Sequence, residues 1–259
     1  MDTGIRGKVA LVTGAGRGLG RAACQALDRE GAVVVAVSRG RSGLDELRDC
    51  LQRSAGHTYI QLDLEHDDAT KQLIAQLTES GMSPDIIVNN VGGVVGSINP
   101  LDTSVTWRRL SRLNLEIATE INEAFIPTMQ KRQWGRICHV SSIAALENQG
   151  TPAYCAANAA LTAYVRSLAR FVASDNVILT AVLPGATFTV GGYWDELERI
   201  DPDRLQAYVS DRMAIKRLGS ADEIAEAIVF LCSELASFCV GTCMLIDGGQ
   251  GRVFFPLSE

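Results

Sequence analysis

In the stretch "YCAANAAL", residues 154–161, Tyr154 and Asn158 stand four residues apart. On a helix that spacing puts both side chains on one face, one turn apart. A tyrosine phenol can give or take a proton, and its neighbour here is an amide that carries no charge. The pair raises a question of acid–base chemistry: what sets the proton affinity of Tyr154 when no cation accompanies it.

A second set of residues offers chemistry of another kind. "TGAGRGLG", Thr13 to Gly20, follows an apolar run and leads into a helical pattern. Gly14, Gly18 and Gly20 let the backbone turn tightly, approach a pyrophosphate and pack the helix on a sheet, with Arg17 and Leu19 set between them. The helix N-terminus presents unpaired N–H groups to the anion. Strand, turn and helix in that order read as a nucleotide site. At the end of the second strand, where a carboxylate would bond an adenosine ribose 2′-hydroxyl, the sequence has "VSRGR", Ser38 and Arg39. Arg17 and Arg39 together offer planar donor forks to a 2′-phosphate, so NADP(H) is expected over NAD(H). The structural alternative is that both arginines are solvated.

The elements that would hold these residues alternate. "KVALVT", "AVVVAV", "HTYIQL", "DIIVNN", "GRICHVSS", "NVILTAVLP" and a last "TCMLID" read as strands, and helical patterns fall near 18–30, 43–54, 66–80, 104–130 and 152–174. Strands without apolar/polar alternation are buried on both faces. The chain is therefore expected to be a Rossmann-type α/β fold, a doubly wound parallel sheet of about seven strands with helices on both faces, in one domain over 1–259. "SADEIAEAIVFLCSELA" opens on Ser220 with Glu223 three residues on, the pattern of a capping box. The segment of about 190–212 interrupts the rhythm just after a strand end and is expected to form a lid-like substrate loop.

Composition narrows the partners. A net charge of −6 and a pI near 5.2 exclude the basic footprint of a nucleic-acid binder or of a protein drawn to anionic membranes. No apolar run near the N-terminus is long enough for a membrane span or shaped as an export signal. Seven scattered cysteines form no Cys-x-x-Cys pair, so no metal or disulfide framework is expected, and reduced thiols in a cytoplasmic protein are. Cys155 is read as a small buried filler and His139 as a core histidine.

These motifs resemble the short-chain dehydrogenases/reductases, and within them the group that includes 3-oxoacyl-carrier-protein reductases and bacterial sugar, steroid and polyol dehydrogenases. The resemblance covers nearly the whole chain, from "GKVALVTGAGRGLG" to "LIDGG". Its motifs stand in order: Thr13-Gly14-x-x-x-Gly18-x-Gly20, Asp63 in "LDL", "NNVG" at 89–92, Asn114 in "RLNL", Ser142 in "HVSSIA", Tyr154, and "PGATFT" at 184–189. By this resemblance Asp63 and Leu64 border the adenine, and Asn90 and Gly92 line the cofactor channel with Pro184, Gly185 and Thr187. Thr189 meets the nicotinamide carboxamide. Asp63 as a turn cap, Asn90 as a partner of strand-end backbone and Thr189 as a helix cap are the structural alternatives.

The chemistry implied is hydride transfer between a nicotinamide and a carbonyl or alcohol carbon. Tyr154 would exchange the proton with the oxygen, Ser142 would polarise that oxygen and Asn114 would anchor a water. A lysine is expected four residues after the tyrosine, and Asn158 stands there instead. The lysines at 8, 71, 131 and 216 fall elsewhere. Ketoreductase domains of modular polyketide synthases also show Tyr-x-x-x-Asn but keep a lysine at the position of Asn114. Ser141 and Ser142 precede Tyr154 by 13 and 12 residues; Ser142 fits the pattern better and Ser141 stays open.

The missing charge has a size. A tyrosine titrates near ~10, and a cation ~5 Å away at an effective dielectric of ~20 contributes ~3 kcal/mol, or ~2 pH units. A slow reductase that oxidises alcohols mainly at high pH is expected. A redox-neutral dehydratase, isomerase or cyclase, and a non-catalytic nucleotide-binding companion subunit, are the other readings. Val94, Val95, Glu147 to Gln149, Tyr193, Trp194 and Tyr208 would by resemblance surround a small organic carbonyl or alcohol substrate with an apolar body. The segments "ADEIAEAIVFLCSELA" and "CMLIDGG" would pair subunits into a homotetramer or dimer.

Overall fold

The computed structural model describes residues 2–52, 55–95 and 100–252. The apolar runs become parallel strands: β1 Val9–Thr13, β2 Val33–Ser38, β3 Thr58–Gln61, β4 Ile86–Asn89, β5 Gly135–Val140, β6 Val177–Pro184 and, last in the chain, β9 Cys243–Ile246. Among the described residues they form one sheet of seven strands in the order β3-β2-β1-β4-β5-β6-β9. Every pairing in it is parallel, with Ala10 beside both Val34 and Ile86. The order reverses between β1 and β4, and a crevice opens beyond the carboxyl ends of strands at such a switch point.

Helices cover both faces because successive strand residues point to opposite sides. Val12 joins a core with Leu27 of α1 (Gly18–Arg29), Leu44 and Leu47 of α2 (Arg41–Cys50) and Ile228 of α9 (Ala221–Cys232). Leu11 goes to the other core, with Leu73 of α3 (Ala69–Glu79), Phe125 of α5 (Ile117–Arg132) and Val165 of α6 (Pro152–Val172). Ser220 caps α9 as expected: its hydroxyl accepts from Glu223 N at 3.2 Å, and the Glu223 carboxylate accepts from Ser220 N at 2.9 Å.

Three boundaries differ from the sequence reading. The second helix starts at Arg41 and ends at Cys50 rather than spanning 43–54, of which residues 53 and 54 lie outside the described residues. The long helix expected over 104–130 is interrupted: α4 (Ser104–Ser111) passes into a π-helical turn, Arg112–Glu116, before α5 begins. Periodicity does not reveal one inserted residue, and π-turns of this kind recur at functional sites. Thirdly, β5 stops at Val140, so both serines of "HVSS" lie past its end.

The segment after β6 is not a plain loop. A short strand β7 (Thr187–Phe188) pairs with β8 (Gly219–Ser220), and between them run α7 (Tyr193–Ile200) and α8 (Pro202–Arg212). Asp201 caps α8 by accepting from Arg204 N at 3.1 Å, and Pro202 takes the first turn, where its missing N–H costs nothing.

Candidate active site

The Gly-rich turn is held from beneath. Thr13 Oγ1 accepts from the backbone N–H groups of Asn90 and Val91, at 3.0 and 3.1 Å. The Asn90 side chain donates to Thr13 O at 2.9 Å and Gly14 O at 3.3 Å. Gly14 and Gly18 sit at φ of 66° and 54°, in the left-handed region that favours glycine. A Cβ on Gly20 would stand 2.3 Å from Gly14 O, so α1 packs hard against the turn. Arg21 fastens the same turn by donating to Gly16 O at 3.1 Å.

A cleft of about 550 Å³ runs from this turn across the carboxyl ends of β1, β4 and β5, within the range of small-molecule and cofactor sites. Gly14, Arg17, Gly18, Leu19, Ser38, Arg39, Asp63 and Leu64 line one half. Asn90, Gly92, Pro184, Gly185, Thr187 and Thr189 line the rest, together with Asn114, Ser142, Tyr154 and Asn158. Of the glycines expected in the turn, Gly20 does not line it, because it is spent on packing. The glycine cradle, the helix N-terminus and Arg17, Ser38 and Arg39 at one end fit the phosphates of a dinucleotide. Arg17 also reaches Gly191 O at 3.1 Å and so links the turn to the segment before α7.

At the inner end, helix α6 is started by Thr151, whose hydroxyl accepts from Tyr154 N. This fixes Tyr154 in the first turn, with Asn158 directly one turn on. Burial pushes the Tyr154 phenol above the usual tyrosine range, and hydrogen bonding from Ser142 and Asn158 offsets this only in part. Ser142 lies in extended backbone and caps the 3-10 turn Ile143–Ala145 by accepting from Ala144 N at 3.1 Å. Its hydroxyl proton is then free to point elsewhere.

Ser141, one residue earlier, lines the same cleft but takes other partners. Its N–H pairs with Val182 O at 2.9 Å, and its hydroxyl donates to Asn158 Oδ1 at 3.1 Å. The two serines thus take different partners, Ser142 the Ala144 N–H and Ser141 the amide of Asn158. Asn114, in the π-turn, is buried and fully engaged: its Oδ1 accepts from Gly93 N at 2.9 Å, while Nδ2 donates to Gly93 O at 3.1 Å and Leu110 O at 3.0 Å. A water held at this position would rest on backbone, since the amide clamps the loop after β4.

Among the described residues, no lysine lines this cleft. Lys8 lies over the Trp134 ring, Lys71 pairs with Asp68, Lys216 donates to Ser210 O and Lys131 is exposed. The cations that line the cleft are Arg17, Arg39 and Arg109, and Arg109 is paired with Glu65 across the rim. Sequence reading missed Arg109 and Glu65; 44 residues separate them, and no local pattern joins them.

On the substrate side the expectation needs correction. Val94, Val95 and Trp194 line the cleft, but Glu147 to Gln149, Tyr193 and Tyr208 do not. Glu147 turns away to accept from Arg252 N and from Gln149 Nε2. Tyr193 and Tyr208 pack on either side of Trp194, with ring centroids 4.9 and 4.5 Å away. Beneath them Gln250, buried, donates to the Tyr208 hydroxyl at 2.7 Å and accepts from Ala186 N at 2.6 Å. Cys155 is half-buried rather than buried, because it sits on the flank of α6 near Glu147 O; burial pushes its thiol up, away from nucleophilic use. His139 is core, as expected, with Nδ1 on Thr180 O and Nε2 on Asn122.

Comparison with known proteins places this geometry. A family model described as enoyl-(acyl carrier protein) reductase matches residues 14–250. The 3-oxoacyl-[acyl-carrier-protein] reductase FabG of Pseudomonas aeruginosa is 31% identical over 95% of this chain and 98% of its own. Among solved structures, L-sorbose reductase from Gluconobacter frateurii, complexed with NADPH and L-sorbose, superposes with a TM-score of 0.89 at 30% identity, over 99% of this chain and 100% of that one. A 3-oxoacyl (acyl-carrier-protein) reductase from Agrobacterium tumefaciens with NADP bound gives 0.88 at 29% identity, over 96% of each chain.

Proposed function

The chain belongs to the short-chain dehydrogenase/reductase family of oxidoreductases, and from that premise we propose that it is an NADP(H)-dependent reductase of a ketone, attenuated by Asn158. One observation carries the reading: a single cleft joins the Gly-rich turn to Ser142 and Tyr154. A nicotinamide dinucleotide bound in it would supply the hydride. Ser142, its acceptor side engaged by Ala144 N, donates its proton to the substrate carbonyl oxygen and polarises it. Tyr154 gives that oxygen its phenolic proton. Burial keeps this phenol protonated through neutral pH, which suits reduction and starves oxidation of tyrosinate.

The finer roles follow from placement. Arg17, Ser38 and Arg39 favour a 2′-phosphate over a free ribose hydroxyl, and Trp194 with Val94 and Val95 favours a small organic ketone or secondary alcohol with an apolar body. Helices α7 and α8 serve as the lid. The exposed rings of Phe171 and Phe238, 78% and 99% accessible, support assembly into a homotetramer or dimer. All seven cysteines stand as free thiols, which supports the cytoplasm as the compartment.

The test is NADPH binding by fluorescence titration, then NADPH consumption with a panel of ketones, beside Tyr154→Phe. Turnover that depends on Tyr154 is expected. Failure to bind either dinucleotide sinks the reading, and so does turnover that Tyr154→Phe leaves intact.

A further inference from the structure

The amide of Asn158 is not free to choose its orientation. One of its two polar atoms lies 3.0 Å from the backbone carbonyl oxygen of Tyr154, which can only accept, so that atom is Nδ2. Oδ1 is thereby turned toward Ser141, whose hydroxyl donates to it at 3.1 Å. Both side chains are buried, and Asn158 is only 2% exposed. The second N–H of Nδ2 remains for the cleft, which Asn158 lines beside Tyr154.

We propose that Ser141 is a positioning residue: by holding Oδ1, it makes Asn158 a donor toward the Tyr154 phenol and the cleft. This rests on the reading of Tyr154 as proton donor. Without Ser141 a buried carbonyl oxygen is left without a partner, and the amide, held then by its Nδ2 bond to Tyr154 O alone, tilts Oδ1 toward the cleft. An acceptor then faces the phenol where a donor stood, and the tyrosinate form loses its one neutral support from helix α6. The Ser141–Asn158 pair is a two-residue device that keeps the hydrogen bond of a lysine and dispenses with its charge.

The groups around Tyr154 leave room for this effect to be read. Cys155 is its titratable neighbour on the helix. On the elements packed against α6, α4 carries Arg108 and Arg109, the π-turn carries Arg112 and Glu116, and the turn after α6 carries Asp175; β6 and the turn Ile143–Ala145 carry none. Arg109 is paired with Glu65, Arg112 with Glu120 at 2.5 Å, Glu116 with Ser111 at 2.7 Å and Asp175 with Gln130 at 2.6 Å; Arg108 is exposed on α4.

The experiment compares Ser141→Ala, Ser141→Thr, Asn158→Ala and the double alanine variant. It reads NADPH affinity, ketone turnover with its alkaline limb, and the side-chain amide signals of Asn158 in nitrogen-15-labelled protein. Ser141→Ala is expected to shift the Asn158 amide signals and lower turnover about threefold to tenfold, the worth of one hydrogen bond. The limb moves to higher pH. The double variant loses no more than Asn158→Ala alone, and Ser141→Thr restores the natural values. Losses that multiply in the double variant, or an unmoved limb with unmoved amide signals, overturn the proposal. Where Ser141→Ala is too unstable to assay, Ser141→Cys, a weaker donor, must show an intermediate loss. Tyr154→Phe separates the two failures: if it keeps full turnover, the reading of the reaction fails, while the amide signals and NADPH affinity still report whether Ser141 sets Asn158.

Discussion

Replacing Asn158 by lysine would place beside Tyr154 the charge that the proposed reaction calls for, and its effect can be worked from the structure. Position 158 faces Tyr154 one turn back, and two acceptors for an ammonium, Ser141 Oγ and Tyr154 O, already stand there. A cation about 5 Å from the phenolate, at an effective dielectric of about 20, favours tyrosinate by about 3 kcal/mol, or about two pH units. Burying an ammonium at a site 2% exposed takes back part of that. If the proton is half transferred in the transition state, about 1.5 kcal/mol reaches the rate, an increase of about tenfold. Asn158→Lys is therefore expected to raise ketone reduction near neutrality about tenfold and to move the alkaline limb down by one to two pH units. Asn158→Met, of similar length and uncharged, is expected to do neither. Stopped-flow NADPH oxidation between pH 6 and 10.5 checks both. Equal behaviour of the lysine and methionine variants would refute the electrostatic reasoning, and so would fast alcohol oxidation by the natural protein at pH 7.

Three further outcomes follow from other contacts. Burial pushes His139 down to about 4, so the unfolded chain takes up the proton first as pH falls; stability is full above about pH 6.5 and declines toward pH 4 by about 3 kcal/mol. Urea midpoints over that range should flatten in His139→Gln. Gln250→Ala leaves the Ala186 N–H and the Tyr208 hydroxyl without their partner, at about 1–3 kcal/mol each, so the melting temperature falls and the KM for the ketone rises; an unchanged KM would show that the lid needs no such tie. Replacing Arg17 and Arg39 together by serine should weaken NADPH binding about tenfold to a hundredfold, the range for charge-assisted hydrogen bonds, and leave NADH binding unchanged.

The sheet was legible because its strands are uniformly apolar, and a run such as "NVILTAVLP" has only one comfortable place, between two helical layers. The Gly-rich turn was legible for a similar reason: glycine at Gly14 and Gly20 is demanded by φ and by a 2.3 Å approach. What escaped depends on contacts distant in sequence. The π-turn at Asn114 adds one residue to a helix without changing its pattern, and the pairing of Arg109 with Glu65 joins two separate rims. Of the residues that the resemblance put around a substrate, Val94, Val95 and Trp194 line the cleft, while Tyr193 and Tyr208 pack against Trp194.

The contacts of Gln250 also bear on how the protein comes off the ribosome. The wall that holds Gly14 and Asn90 is complete once β1 and β4 have paired. The opposite wall needs residues made later, since Gly185 N bonds Ile246 O and Ala186 N bonds the Gln250 side chain. A growing polypeptide therefore carries one side of the cleft before residues 185–250, which supply the other, have been made. Such long-range closure folds late and slowly. Any ligand that binds the completed cleft stabilises this closure by mass action.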